Sequence, residues 1–110
     1  MNTRTIFELQ AELCRAMGHH VRLEIVHTLR DGPKRVGDIA QMMSLAQSII
    51  SRHLAVLRNH KIVAAQRQGQ GIIYSITNPK LVNVCDLMRE VLLEEAAHQS
   101  ELIQALQGNT

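Results

Sequence analysis

Aromatic residues are almost missing from this chain of 110 residues: Phe7 and Tyr74 are the only two, and there is no Trp. Proteins that grip single-stranded nucleic acid stack bases on aromatic rings, so that class of binder is excluded. A core without rings must be built from Leu, Ile, Val, Ala and the five Met. Proline occurs twice, at Pro33 and Pro79, and both fall between apolar-periodic segments. No apolar run approaches the ~18 residues of a membrane span, and Met1-Asn2-Thr3-Arg4-Thr5 carries no signal-peptide core. A cytoplasmic protein with no membrane partner is expected. Its two cysteines, Cys14 and Cys85, are then not a disulfide framework. Nucleophile elbow, P-loop, glycine fingerprint and His-Glu-x-x-His are all absent, so no enzyme is expected.

What is present is an uneven charge. The net charge is only +2, yet residues 1–78 hold ten Lys and Arg against five Asp and Glu, while residues 79–110 hold two against five. A basic body followed by an acidic tail suits a polyanionic partner at one end of the molecule.

The apolar pattern predicts one domain over 1–110. A first helix runs over 5–17, opened by a Thr5…Glu8 capping box and ended by Gly18. A second helix covers 20–30 and is stopped by Asp31-Gly32-Pro33. Residues 34–36 read as a short extended link, 37–43 as a short helix, Ser44-Leu45 as a tight turn, and 46–60 as a fourth helix with the stripe Ile50, Leu54, Leu57. The period then shortens. Residues 62–65 and 72–76 read as strands around a polar tip, 66–71, which makes a β-hairpin. Asn78-Pro79 caps a last helix over 79–106. The fold class is therefore mostly α with a small β-hairpin wing, a winged helix-turn-helix. The first and last helices exceed what that small domain needs, and an isologous homodimer is the simplest place to bury their stripes.

The fourth helix carries Gln47, Ser48, Ser51, Arg52 and His53 opposite its apolar stripe. Gln matches adenine and Arg matches guanine in the major groove, and Ser reaches bases or phosphates. The wing tip adds Arg67, Gln68 and Gln70, suited to a minor groove or its phosphates. These eight residues are the candidate contacts to a double-stranded DNA operator. A solvated helix face and hairpin tip, or a winged-helix protein-interaction module, are the competing readings.

Three segments resemble the ArsR/SmtB family of winged-helix repressors. Ala16-Met-Gly-His-His-Val-Arg-Leu-Glu-Ile25 resembles its entry to the second helix. The run Leu45-Ala-Gln-Ser-Ile-Ile-Ser-Arg-His-Leu54 resembles its recognition helix, and Arg67…Gly71-Ile-Ile-Tyr74 its wing. The resemblance spans about residues 5–95 and implies repression of transcription by a dimer. Three positions depart from it. Ala46 stands where the family has a Ser cap, with Ser44 and Gln47 as a substitute capping box. Ser44 replaces the usual turn Gly, and His20 replaces a Pro.

Members of that family release DNA on binding metal or on cysteine modification. The positions that match one family metal site are Arg35 and Gly37; those that match the other are Asn78, Lys80, Val91 and Glu94. Only Glu94 can ligate, so no metal site and no cofactor is expected. The family's paired sensor cysteines fall at His27 and Leu93 here. Cys14 and Cys85 instead lie on the two helices expected at the dimer interface. They read either as packing residues or as a thiol sensor of oxidant, reactive sulfur or a thiophilic metal or metalloid.

Overall fold

Helix α1 spans Thr3–Met17 in the computed structural model, which describes residues 2–108. The predicted domain over 1–110 therefore includes Met1, Asn109 and Thr110, which lie outside the described residues. The cap of α1 is Asn2, not Thr5: the Asn2 Oδ1 accepts from the Thr5 N–H at 2.8 Å and from the Thr5 hydroxyl at 2.9 Å. Asn is as good an N-cap as Thr, and starting earlier adds helical hydrogen bonds. Helix α2 spans His20–Thr28, and its last predicted residues tighten into a 3₁₀ turn, Leu29–Asp31. Gly32 at φ +135° then turns the chain in a conformation that a side chain rarely allows. At the start of α2, where the resemblance lacks its proline, the His19 ring takes over: Nδ1 accepts from the Val21 N–H at 3.1 Å.

Strand β1 is Lys34–Arg35, helix α3 is Val36–Met43 and helix α4 is Gln47–Asn59. Both helices end in the same way. Ser44 (φ +55°) and Lys61 (φ +61°) adopt the left-handed conformation. The next N–H in each case reaches back five residues, Leu45 to Ala40 at 3.0 Å and Ile62 to Leu57 at 2.9 Å. This is the Schellman pattern, which satisfies the last carbonyls of a helix.

Strands β2 (Val63–Gln68) and β3 (Gly71–Ile76) are longer than the apolar runs suggest. The predicted six-residue polar tip pairs almost fully, leaving only Gly69-Gln70 as the turn, with Gly69 at φ +64°. Backbone pairing does not require apolar side chains, and glycine at the first turn position suits a two-residue hairpin. The link at Lys34–Arg35 joins the sheet as a third strand, in the order β1-β3-β2, with Lys34 opposite Tyr74 and Arg35 opposite Ile73. Helix α5 spans Lys80–Leu106, and Asn78 caps it as expected, its Oδ1 accepting from the Lys80 N–H at 3.0 Å.

The core is aliphatic. Ile25, Val26, Ile39, Ile50, Leu54, Leu57 and Ile62 are completely buried, so α2, α3 and α4 close on one another and on the root of the wing. Only the first turns of α5 reach this core, through Val82 and Cys85 with Leu81 packed beside them. From Glu90 onward every described residue of α5 is exposed, including Val91, Leu92, Leu102, Ile103 and Leu106. Helix α1 likewise exposes Ile6, Phe7 and Leu9. Among the described residues no helix is long and apolar enough to cross a membrane.

Candidate nucleic-acid interface

The stripe Ile50, Leu54, Leu57 fastens α4 to the core, and that fixes which side chains face outward. Gln47, Ser48, Ser51 and Arg52 are exposed. Gln47 bends back over α3, where its amide sits against Gly37; a Cβ there would lie 3.2 Å from Nε2. At the start of α4, Ala46 is the N-cap and no side chain caps it. The substitute capping box expected from Ser44 and Gln47 does not form, because Ser44 is committed to ending α3 in the left-handed conformation. The opening N–H groups of α4 therefore have no capping side chain, and such groups attract phosphate.

His53 sits apart from the other four. It is only half-exposed, and its ring lies against His19 with centroids 4.4 Å apart. His19 in turn stacks on His20 at 5.0 Å. Burial lowers the His53 pKa below the usual imidazole range, and the nearby positive groups of His19, Arg22, Arg52 and His20 lower it further. Its position, three residues beyond Ile50 and four before Leu57, puts it on the flank of the buried stripe.

In the wing Arg67, Gln68 and Gln70 are all exposed. Between α4 and β3 lies a cleft of about 700 Å³ lined by Ser51, Arg58, His60, Lys61 and Tyr74, among others. It continues the exposed edge of α4 toward the root of the wing. Arg58 and Lys61 were not among the residues singled out from the motif. A signal for them exists in the sequence: no Asp or Glu occurs between Asp38 and Asp86, whereas Arg52, Arg58, Lys61, Arg67 and Lys80 all do.

The two cysteines occupy different environments. Cys14 is exposed on α1, and Cys85 is buried in the core. Burial pushes the Cys85 thiol pKa up, which disfavours the reactive thiolate. Cys85 forms part of a groove between α2 and α5 with Leu23, His27, Met88 and Leu92. Among the described residues no three His, Cys, Asp or Glu side chains are arranged to hold a metal ion.

Known proteins share this arrangement. Residues 19–65 match the family described as bacterial regulatory protein, arsR family. The chain is 39% identical to the transcriptional repressor PagR of Bacillus anthracis over 85 residues, 76% of this chain and 85% of PagR. The crystal structure of Rv0081 from Mycobacterium tuberculosis superposes with a TM-score of 0.76 at 30% identity, covering 86% of this chain and 96% of the other. The homodimeric winged helix-turn-helix DNA-binding domain of Mb0332 from Mycobacterium bovis shares the fold, with a TM-score of 0.77 at 24% identity over 89% of this chain and 93% of that one. A winged helix-turn-helix with this recognition segment, related in sequence to PagR over most of both chains, belongs to the arsR family of bacterial regulatory proteins and is a DNA-binding transcriptional regulator.

Proposed function

We propose that this regulator represses transcription as a cytoplasmic homodimer, with α4 in the major groove of an operator half-site and the wing against the adjacent minor groove. The observation that carries this reading is the acid-free surface shared by α4 and the wing. Gln47, Ser48, Ser51 and Arg52 are exposed on one, Arg67, Gln68 and Gln70 on the other, and no carboxylate lies in either element. A protein-interaction module would not need readers of this chemistry at the start of α4. His53 is a weaker candidate, since its ring is engaged with His19. Arg58 and Lys61 extend the surface as phosphate contacts along the cleft.

Dimerisation is supported by the apolar residues that α1 and α5 leave exposed, and by the homodimeric assembly of the Mb0332 domain. Two copies would set paired α4 helices about one helical turn of DNA, ~34 Å, apart.

The burial of Cys85 favours packing over sensing for that residue. A switch that joins Cys14 and Cys85 would have to draw one sulfur out of the core. We therefore read DNA binding as independent of Cys85 chemistry. Operator affinity in the presence and in the absence of oxidant, sulfur species or thiophilic metal should be the same in Cys85→Ser as in wild type.

The test is duplex binding at several salt concentrations. Arg52→Ala should weaken sequence-specific binding by about 1–3 kcal/mol and relax preference at one position per half-site. Arg67→Ala should weaken binding to all sequences and reduce the salt slope by about one unit. Salt-independent binding, or no affinity for any duplex, would overturn the reading.

A further inference from the structure

The wing is a two-stranded projection, and a hairpin that carries a DNA contact must be held at an angle to the recognition helix. One side chain outside the hairpin reaches its tip. Arg35 ends β1 and immediately precedes α3, so its backbone belongs to the base of the helix-turn-helix. Its Nη2 donates to the carbonyl of Gln68, the last residue of β2, at 3.1 Å. Its Nη1 lies over Gly71, the first residue of β3, so closely that a Cβ there would overlap the guanidinium. The three atoms nearest to such a Cβ all belong to Arg35. Gly71 does not have a positive φ, so no backbone reason calls for glycine at this position. The Arg35 guanidinium occupies the space it leaves.

We propose that Arg35 is a positioning residue that straps the wing tip to the helix-turn-helix. The planar guanidinium spans both strands at the turn, touching Gln68 on one side and Gly71 on the other. Lysine carries the same charge but lacks the flat fork that covers a glycine while donating to a carbonyl. The strap restricts the hairpin before DNA arrives, so less ordering is needed on binding. Arg67, which pairs across the sheet with Ile72 one step from the strap, is thereby presented at a defined place. This proposal rests on the wing being a DNA contact.

Gly71→Ala is the sharpest test because it removes no charge and no hydrogen-bonding group, and its new methyl meets Arg35 first. The probe is a duplex selected from a random pool by the wild-type protein. Amide exchange at 68–71 in the free protein should speed up in both Gly71→Ala and Arg35→Lys. Both should bind the duplex roughly three- to tenfold more weakly. The salt slope of Gly71→Ala should fall by about one unit, as Arg67 loses its phosphate, although every charge is still present. Gly71→Ala should add nothing in an Arg67→Ala background. Wild-type exchange, affinity and slope in Gly71→Ala, beside weakened binding by Arg67→Ala, would overturn the strap and leave the wing contact standing. Faster exchange with unchanged DNA binding in Gly71→Ala, Arg35→Lys and Arg67→Ala alike would overturn the wing contact itself, and the strap's role with it.

Discussion

Arg30 grips both oxygens of Asp86: Nη1 donates to Oδ1 at 3.0 Å and Nη2 to Oδ2 at 2.7 Å, joining the 3₁₀ turn after α2 to α5. Arg89 adds a third hydrogen bond to the same carboxylate, at 3.0 Å. These two guanidinium groups hold the Asp86 pKa at about 2. A carboxylate with a depressed folded pKa binds fewer protons folded than unfolded, so it stabilises the fold above the unfolded value of about 3.9. That contribution is lost as pH falls through about 2. Asp86→Asn should lower the melting temperature modestly at neutral pH and flatten the acid limb of the stability curve between about pH 4 and pH 2. An acid limb unchanged from wild type would show that the bridge does not anchor α5.

The uncapped start of α4 predicts a gain. Ala46→Ser supplies an N-cap oxygen for the orphan N–H groups and should stabilise the protein by about 1 kcal/mol in denaturant titration. Ser44→Gly removes the side chain from a left-handed position and should add up to about 1 kcal/mol. The two changes should differ on DNA. A serine oxygen competes with phosphate for the same N–H groups, so Ala46→Ser should not improve affinity in step with stability. An equal gain in both would show that the N-terminus of α4 does not meet phosphate.

The partial burial of His53, with His19 beside it, makes stability sensitive to mild acid. Because burial and positive neighbours lower the His53 pKa, the unfolded chain takes up a proton first as pH falls. Its share of stability is present above about pH 6.5, the unfolded value, and declines below it. His53→Gln should remove part of the loss in melting temperature between about pH 6.5 and 5. Superimposable pH profiles for variant and wild type would refute this.

Met88 and Val91 are exposed on the segment of α5 that leaves the core. If that segment faces a second copy, Met88→Asp or Val91→Asp buries an unpaired charge and should yield folded monomers at micromolar concentration, with loss of operator binding. Light scattering and circular dichroism together separate dissociation from unfolding. A monomeric wild type would remove the dimer from the proposal.

Much of this was legible in one dimension. The helical spacing of Ile50, Leu54 and Leu57 identified both the buried stripe of α4 and, by elimination, the exposure of Gln47, Ser48, Ser51 and Arg52. The shortened period after residue 60 announced the hairpin, and Asn78-Pro79 marked the start of α5. These features depend on neighbours within one or two turns of chain, and sequence spacing encodes them directly.

The rest depended on residues distant in sequence. Whether Thr5 or Asn2 capped α1 was a choice between two adequate oxygens, and Asn2 won by admitting an earlier start. Strand β1 was too short to show a period; it exists because β3 offers it a free edge. The apolar residues of α5 continue to Leu106, yet only Leu81, Val82 and Cys85 meet the core, because α5 leaves it within a few turns. The amino-acid sequence by itself determined the order of the elements, the aliphatic core and the polar edge of α4, since each follows from local periodicity. Only the tertiary structure decided that His53 turns to His19 and that Arg35 lies over Gly71. Contacts of that kind depend on where the packed elements bring side chains together, and no local pattern records it.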